Sequence, residues 1–415
     1  MFMLESVLKE ARSAAAVLSQ LGHEEKDRAL DLIAGALLRD KEKIMESNRK
    51  DLAAAREKGL KKSLLDRLEL NEKRFREMVE GVRQIKGLKD PVGEVLDETR
   101  RPNGLLIKKV RVSIGVIAII YESRPDVTVD ASVLCLKAGN SVVLRGGSEA
   151  FFSNQALVAA VQSGLDSSRV PRGAVSFIPS TDRDIVYQLV KRDDYLDLVI
   201  PRGSEEMIRS ITEAARVPVL GHGKGLCHMY VDKDADIDMA LKLVFNAKVQ
   251  RPGVCNAIET LLVHADVAGK FLPQLARQFK TAGVEMRGCP LTEKILTDIR
   301  SAAEEDWRTE YLDLIISIKV VSGLEGAMEH IRSYGSKHSE AIVTENGETA
   351  GQFLKGVDAA AVYWNASTRF TDGSEFGLGA EIGISNQKLH ARGPMGLKEL
   401  TSYKYEIFGA GQIRE

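Results

Sequence analysis

Cysteine is scarce in this chain: four in 415 residues, at Cys135, Cys227, Cys255 and Cys289, with no CxxC pair. That spacing excludes a disulfide framework and a cysteine-rich zinc site. The seven histidines form no HExxH motif, and Cys227-His228 are chain neighbours, a poor chelating arrangement for a strand, so no metal is expected. Charge of one sign is missing too. Lys+Arg number 58 against Asp+Glu 59, which removes the basic field that would draw the chain to nucleic acid or an anionic membrane. Apolar runs such as Val116–Ile120 are far too short to span a bilayer. The start, Met1-Phe2-Met3-Leu4-Glu5, becomes charged at once and lacks the apolar core of a signal peptide, so a cytoplasmic location is expected. The GxGxxG fingerprint is absent as well, since Gly221-His222-Gly223-Lys224-Gly225 has the wrong spacing.

What is present is length and alternation. A chain of 415 residues with 44% hydrophobic and 28% charged content suggests two or three soluble domains. Residues 1 to about 95 read as helices, with Leu30, Ile33, Ala34, Leu37 and Leu38 on one buried face. Residues 104–112 read as an exposed strand after a Pro102-Asn103-Gly104 turn, either an edge for subunit pairing or a blunted edge. From Gly115, short aliphatic strands (116–120, 142–144, 175–178, 196–200, 217–220) alternate with helices (127–138, 154–164, 183–191, 204–215). After Cys255 the alternation restarts, with strands at 261–263, 314–321, 341–343 and 360–363 and helices at 266–282, 291–305, 323–333 and 347–357. This pattern predicts two α/β units, each a parallel sheet covered on both faces by helices. A last strand is expected at 402–408.

The stretch Gln250-Arg251-Pro252-Gly253-Val254-Cys255-Asn256 places one thiol in a Pro-Gly turn, between a helix at 239–249 and an apolar strand. A thiol held by rigid elements yet reachable suits a nucleophile, although a packing role fits the turn equally well. Three strand ends on one predicted edge also carry suggestive residues. They are Tyr121-Glu122-Ser123-Arg124-Pro125, Arg145-Gly146-Gly147-Ser148-Glu149 and Pro201-Arg202-Gly203-Ser204, the last opening a helix whose N–H groups could meet a phosphate. Ordinary turn chemistry explains each taken singly.

Together these landmarks resemble the aldehyde dehydrogenase superfamily, and within it the glutamate-5-semialdehyde dehydrogenases, also called gamma-glutamyl phosphate reductases. The likeness runs from Tyr121–Val127 through Leu136–Asn140, Val142–Ala150, Val254–Thr260 and Trp364–Gly373 to Phe376–Gly383. It implies an aldehyde-dehydrogenase-like α/β fold with two doubly wound parallel-sheet domains and a small β oligomerisation element. The implied division is 1–96 with 113–245 for the N-terminal helices and dinucleotide-binding domain, 246–384 for the catalytic domain, and 97–112 with 385–415 for oligomerisation strands. Cys255 falls on the family's nucleophile. Arg145, Gly147, Ser148, Glu149, Gly203, Ser204 and Glu310 fall on cofactor-binding positions, with NADP(H) the implied cofactor and Arg145 a candidate for its 2′-phosphate. Ser123, Arg124, Asn256, Thr368 and Arg369 are the candidate substrate-binding residues.

The implied reaction is NADPH-dependent reduction of L-glutamyl 5-phosphate to L-glutamate 5-semialdehyde, through a Cys255 thioester, in proline biosynthesis. The superfamily also implies a homo-oligomer, a dimer or larger, and transient contact with glutamate 5-kinase is a further expectation. Two departures stand out against the hydrolytic members. Their water-activating glutamate would fall within Val219–Lys224, where no carboxylate exists, and their oxyanion-hole asparagine would fall at Ser123. The first absence suits a reductive site, so Glu at Leu220 or His222 should raise hydrolysis; His222 is either a proton donor or an ordinary loop residue. A CoA-acylating aldehyde dehydrogenase and a non-catalytic nucleotide-binding scaffold are the rival readings.

Overall fold

The computed structural model describes residues 2–221 and 223–414. The chain divides into two compact units: Met1–Gly221 with Gly377–Gly383 and Met395–Glu415, and His222–Phe376 with Ile384–Pro394. In the first unit, five helices (Phe2–Leu18, His23–Arg39, Lys41–Glu57, Lys62–Leu68 and Glu72–Gly87) precede the strands. Leu30, Ile33, Ala34 and Leu37 are buried as their spacing predicts, whereas Leu38 is 45% exposed. At about 100° per residue Leu38 lies about 80° round from Leu30, at the margin of the buried stripe.

Helix His23–Arg39 packs on helix Phe151–Leu165 at a distance that excludes a side chain. A Cβ on Gly164 would stand 2.7 Å from the Ile33 Cα. Helix His23–Arg39 is tied by charge to a further helix, Pro125–Lys137: the buried Lys137 ammonium pairs with Asp27 and donates to the Lys86 carbonyl at 2.8 Å.

Strands β1 (Val95–Arg100) and β2 (Leu106–Ser113) form an antiparallel hairpin. Then β3 (Val116–Tyr121), β4 (Ser141–Gly146), β5 (Val175–Phe177) and β6 (Leu198–Arg202) build a parallel sheet in the order β5-β4-β3-β6. All six residues of β3 and of β4 are buried, as continuous apolar strands between two helical layers must be. The strand expected over 217–220 shrinks to a single bridge from Val219 to Val199. Pro218 has no N–H for a ladder and Gly221 follows directly.

The second unit holds β7 (Cys227–Val231), β8 (Ile258–His264), β9 (Glu285–Gly288), β10 (Arg300–Ser301), β11 (Ile315–Val321), β12 (Ser339–Val343) and β13 (Ala361–Trp364). They form one parallel sheet, ordered β10-β9-β11-β8-β7-β12-β13. A short hairpin, β14 (Ile384–Ser385) with β15 (Gly393–Pro394), follows, and β16 (Thr401–Phe408) pairs antiparallel with β2 in the first unit. The architecture is doubly wound α/β. The division falls at 221/222 and not at 245/246, because β7 pairs with β8 and β12. The helix expected over 291–305 stops after Pro290–Glu293. Asp306 accepts from the Ala303 N–H at 2.7 Å and pairs with Arg287 at 2.6 Å, which draws this segment into β10 and a short turn. Among the described residues no helix is long and apolar enough to cross a membrane.

Candidate active site

A cleft of ≈ 380 Å³ opens at the carboxyl ends of β3, β4 and β6, where open α/β sheets bind ligands. Arg145, Gly147, Ser148, Glu149 and Ser204 all line it, so the structure gathers most of the expected cofactor positions of the first unit. Ser204 caps helix Glu205–Ala214 by accepting from the Met207 N–H at 3.3 Å. Neighbouring Gly203 is packed against two side chains, since a Cβ there would meet Met207 Cε at 2.3 Å and Glu122 Cδ at 2.8 Å. The Arg145 guanidinium donates to the carbonyls of Gly146, Thr181 and Asp182, while its buried Nε has no partner among the described residues. Burial pulls its pKa below the ordinary value, and Arg183 across the cleft adds repulsion.

Glu149 reaches away from the cleft as well as lining it. Its Oε1 accepts from both the backbone N–H and the hydroxyl of Ser123, at 2.6 and 2.7 Å. Ser123 is held at φ 36°, a left-handed conformation that costs a non-glycine residue on the order of 1 kcal/mol or more. Arg124, directly after it, is half-buried at the start of helix Pro125–Lys137.

In the second unit, helix Ile237–Val249 ends, the loop 250–257 turns, and β8 begins. Cys255 is half-buried in that loop, in contrast to Cys135, Cys227 and Cys289, which are buried. The two ends of the loop are clamped by an enclosed ion pair, Lys248 to Glu259 at 2.6 Å, and Glu259 also accepts from the Leu312 N–H at 3.1 Å. Burial pushes the Glu259 carboxyl up and the Lys248 ammonium down, against their mutual attraction. Arg369 donates to Gln250 at 2.9 Å. Burial lowers its pKa first, Arg251 adds to that, and the Cys255 sulfur opposes it, which puts Arg369 within electrostatic reach of the thiol.

A family model described as the aldehyde dehydrogenase family matches residues 3–295. The gamma-glutamyl phosphate reductase of Moorella thermoacetica is 58% identical over 407 residues, covering 98% of this chain and 97% of its own. That of Carboxydothermus hydrogenoformans is 57% identical over 409 residues, 99% of each. The crystal structure of the Thermotoga maritima gamma-glutamyl phosphate reductase superposes with a TM-score of 0.98 at 51% identity, covering 99% of this chain and 100% of that one. The chain belongs to the aldehyde dehydrogenase family, among its gamma-glutamyl phosphate reductases.

As an aldehyde dehydrogenase the chain is an oxidoreductase using a nicotinamide cofactor and acting on a small molecule. An acetylating aldehyde dehydrogenase from Geobacillus thermoglucosidasius, at TM-score 0.72 and 17% identity over 100% of this chain and 98% of that one, shares the fold. The family likeness singled out residues whose polar groups here serve the loop itself. Thr368, fully buried, donates to the Asn256 carbonyl at 2.7 Å. The Asn256 amide is spent on the carbonyls of Thr371 at 2.8 Å and Arg369 at 3.4 Å, and its Oδ1 is buried without a partner among the described residues. Glu310 accepts from the Gly225 N–H at 3.1 Å. His222 lies outside the described residues.

Sequence reasoning missed Gly225 and Cys227. A Cβ on Gly225 would stand 2.5 Å from the Cys255 Cβ, and Cys227 donates to the Cys255 carbonyl at 3.1 Å. Neither carries a local signal, because both act on a residue about 30 positions later, brought near by β7 pairing with β8.

Proposed function

We propose that this gamma-glutamyl phosphate reductase converts L-glutamyl 5-phosphate to L-glutamate 5-semialdehyde, with release of phosphate in proline biosynthesis, through a thioester on Cys255. The observation that carries the reading is Cys255: a half-buried thiol on a clamped loop, in a chain 58% identical to a reductase of that name. The Cys255 thiolate attacks the γ-carbonyl carbon, and the phosphate leaves with the electrons of the broken C–O bond. A thioester to Sγ remains. Arg251 and Arg369 offer positive charge to an anionic substrate and to the thiolate. After reduction, the S–C bond breaks, the thiolate is restored, and the aldehyde departs.

NADPH, when bound, supplies the hydride that reduces the thioester. Its support is the cleft of the first unit. There Gly147 lines the cleft, and the Ser148 and Ser204 hydroxyls beside the start of helix Glu205–Ala214 offer hydrogen bonds to a phosphate chain. Val186, Tyr187 and Ile211 supply an apolar wall for an adenine ring. Arg145 is already committed to three carbonyls, so Arg183 is the cation we assign to a 2′-phosphate. Homo-oligomerisation is proposed through β1 and β16, the exposed edges of their sheet, with domain roles as the family likeness implies. A cytoplasmic location and transient delivery of substrate by glutamate 5-kinase complete the reading.

The test is peptide mass spectrometry after incubation with an acyl-phosphate analogue, with the reverse reaction assayed in parallel. Acylation on Cys255 and phosphate-dependent NADP reduction by the semialdehyde are expected. CoA dependence in place of phosphate dependence would favour the CoA-acylating reading, and no acylation at all the scaffold.

A further inference from the structure

Beneath the Cys255 loop lies a second thiol. Cys227 opens β7, is fully buried, and donates to the Cys255 carbonyl at 3.1 Å. Behind it runs a row of polar side chains: His338 Nδ1 at 3.6 Å from the sulfur, Ser339 Oγ at 2.9 Å from that nitrogen, Thr371 Oγ1 at 2.7 Å and Tyr363 OH at 2.7 Å. Three of these five residues come from neighbouring strands β7, β12 and β13, His338 directly precedes β12, and Thr371 follows the short turn Thr368–Phe370.

One direction of donation runs along the row and places the His338 ring proton on Nε2. Tyr363 donates to Thr371, Thr371 to Ser339, and Ser339 to His338 Nδ1, so the Cys227 proton is left for the Cys255 carbonyl. Both ends keep their protons: burial pushes the Cys227 thiol well above its ordinary value and the Tyr363 phenol up to about 12. Cys135 provides the contrast, an equally buried thiol raised by burial alone.

The Cys255 carbonyl shares a trans peptide with the Asn256 N–H, and the two groups point opposite ways. Pinning the carbonyl towards Cys227 therefore fixes the Asn256 N–H on the opposite side, and fixes the plane from which the nucleophile projects. Gly225 makes the contact possible, because a Cβ there would stand 2.3 Å from the same carbonyl oxygen.

We infer that Cys227 is a positioning residue for the reaction proposed above: its S–H, oriented by the row from Tyr363 to His338, pins the peptide that carries the nucleophile. The inference rests on Cys255 being the residue acylated. The variants are Cys227→Ala and Cys227→Ser, each read by kcat, KM for the acyl phosphate, melting temperature, and the rate of Cys255 alkylation by iodoacetamide across pH.

For Cys227→Ala the expected result is a kcat about tenfold lower with KM within about twofold, and Cys255 alkylation slowed to match. Cys227→Ser keeps a donor and should return kcat to within about threefold of the parent. Parental kcat and alkylation in Cys227→Ala would overturn the inference. So would a serine variant as slow as the alanine one, since that marks packing and not donation. Where Cys227→Ala does not fold, Ser339→Ala breaks the row two members away; reduced kcat at constant KM supports the inference, and parental kcat overturns it. Acylation of the parent elsewhere than Cys255 overturns the functional reading and this inference together. Acylation at Cys255 with an indifferent Cys227→Ala overturns the inference alone.

Discussion

A methyl group at position 225 would occupy the space of the nucleophile's own backbone, whose Cα lies 2.6 Å from where it would sit. Gly225→Ala is expected to lower kcat by about 100-fold or more, since displacements near 1 Å carry that cost, while circular dichroism stays parental. Arg183→Ala should raise KM for NADPH about tenfold and leave KM for NADH unchanged, the loss of one charge-assisted contact to a 2′-phosphate. Equal loss with both cofactors would remove Arg183 from that role. Leu220 turns out to be an unsuitable place to install a carboxylate. It is 2% exposed and its N–H donates to Val199, so Glu there would enter core and lower stability before it could activate water. At this scale the turn that carries Cys255 was legible, because Pro252 and Gly253 announce a loop between two rigid elements, while the thiol's proposed role came from the family likeness. Its supports were not: the partners of Cys255 and Asn256 lie 28 to 115 residues away, and no local pattern links them.

Most elements of the two sheets announce themselves by aliphatic runs, yet β7 hides. Cys227, His228, Met229, Tyr230 and Val231 are all buried, so two polar residues sit where a continuous apolar strand would be expected. His228 is tolerated because its Nδ1 meets the equally buried Glu340 of β12 at 2.9 Å. Only the three-dimensional pairing of those strands explains the polar pattern. The loop between helix Ile237–Val249 and β8 depends on a similar device, the Lys248–Glu259 pair. Lys248→Met removes one charge and leaves the carboxylate enclosed, which should cost about 3–5 kcal/mol. Urea unfolding measures it. The double change to Met and Gln should recover much of that loss, because no unpaired charge remains.

Across the whole molecule, one route by which acid acts is a buried histidine. The buried His330 ring is pushed down to about 2, by burial first and then by His228 and Lys319, whose Nζ lies 3.1 Å from Nδ1. Its folded pKa lies below the unfolded value near 6.5, so the unfolded chain takes up the extra proton as pH falls. This contribution to stability is whole above about pH 6.5 and lost progressively towards about pH 2, by at most about 1.4 kcal/mol per unit. From pH 7 to pH 5 the parent should therefore lose melting temperature relative to His330→Asn, while the buried Asp130 and Glu259 carboxyls, raised to about 7, act in the opposite sense in both proteins. Self-association is testable at the sheet of β1, β2 and β16, where Tyr405 and Ile407 are 59% and 62% exposed. Replacing both with Glu should give a monomer by sedimentation if β16 joins subunits, and the parental mass if it does not.

The closeness of the helices at Gly164 has a practical consequence for anyone wishing to shorten the protein. Removing the first 90 residues would unroof a groove floored by a bare glycine and strand the Lys137 ammonium without Asp27. The remaining α/β body should then come out of cells as insoluble material, which makes the opening helices a lid on the core and not a detachable preface.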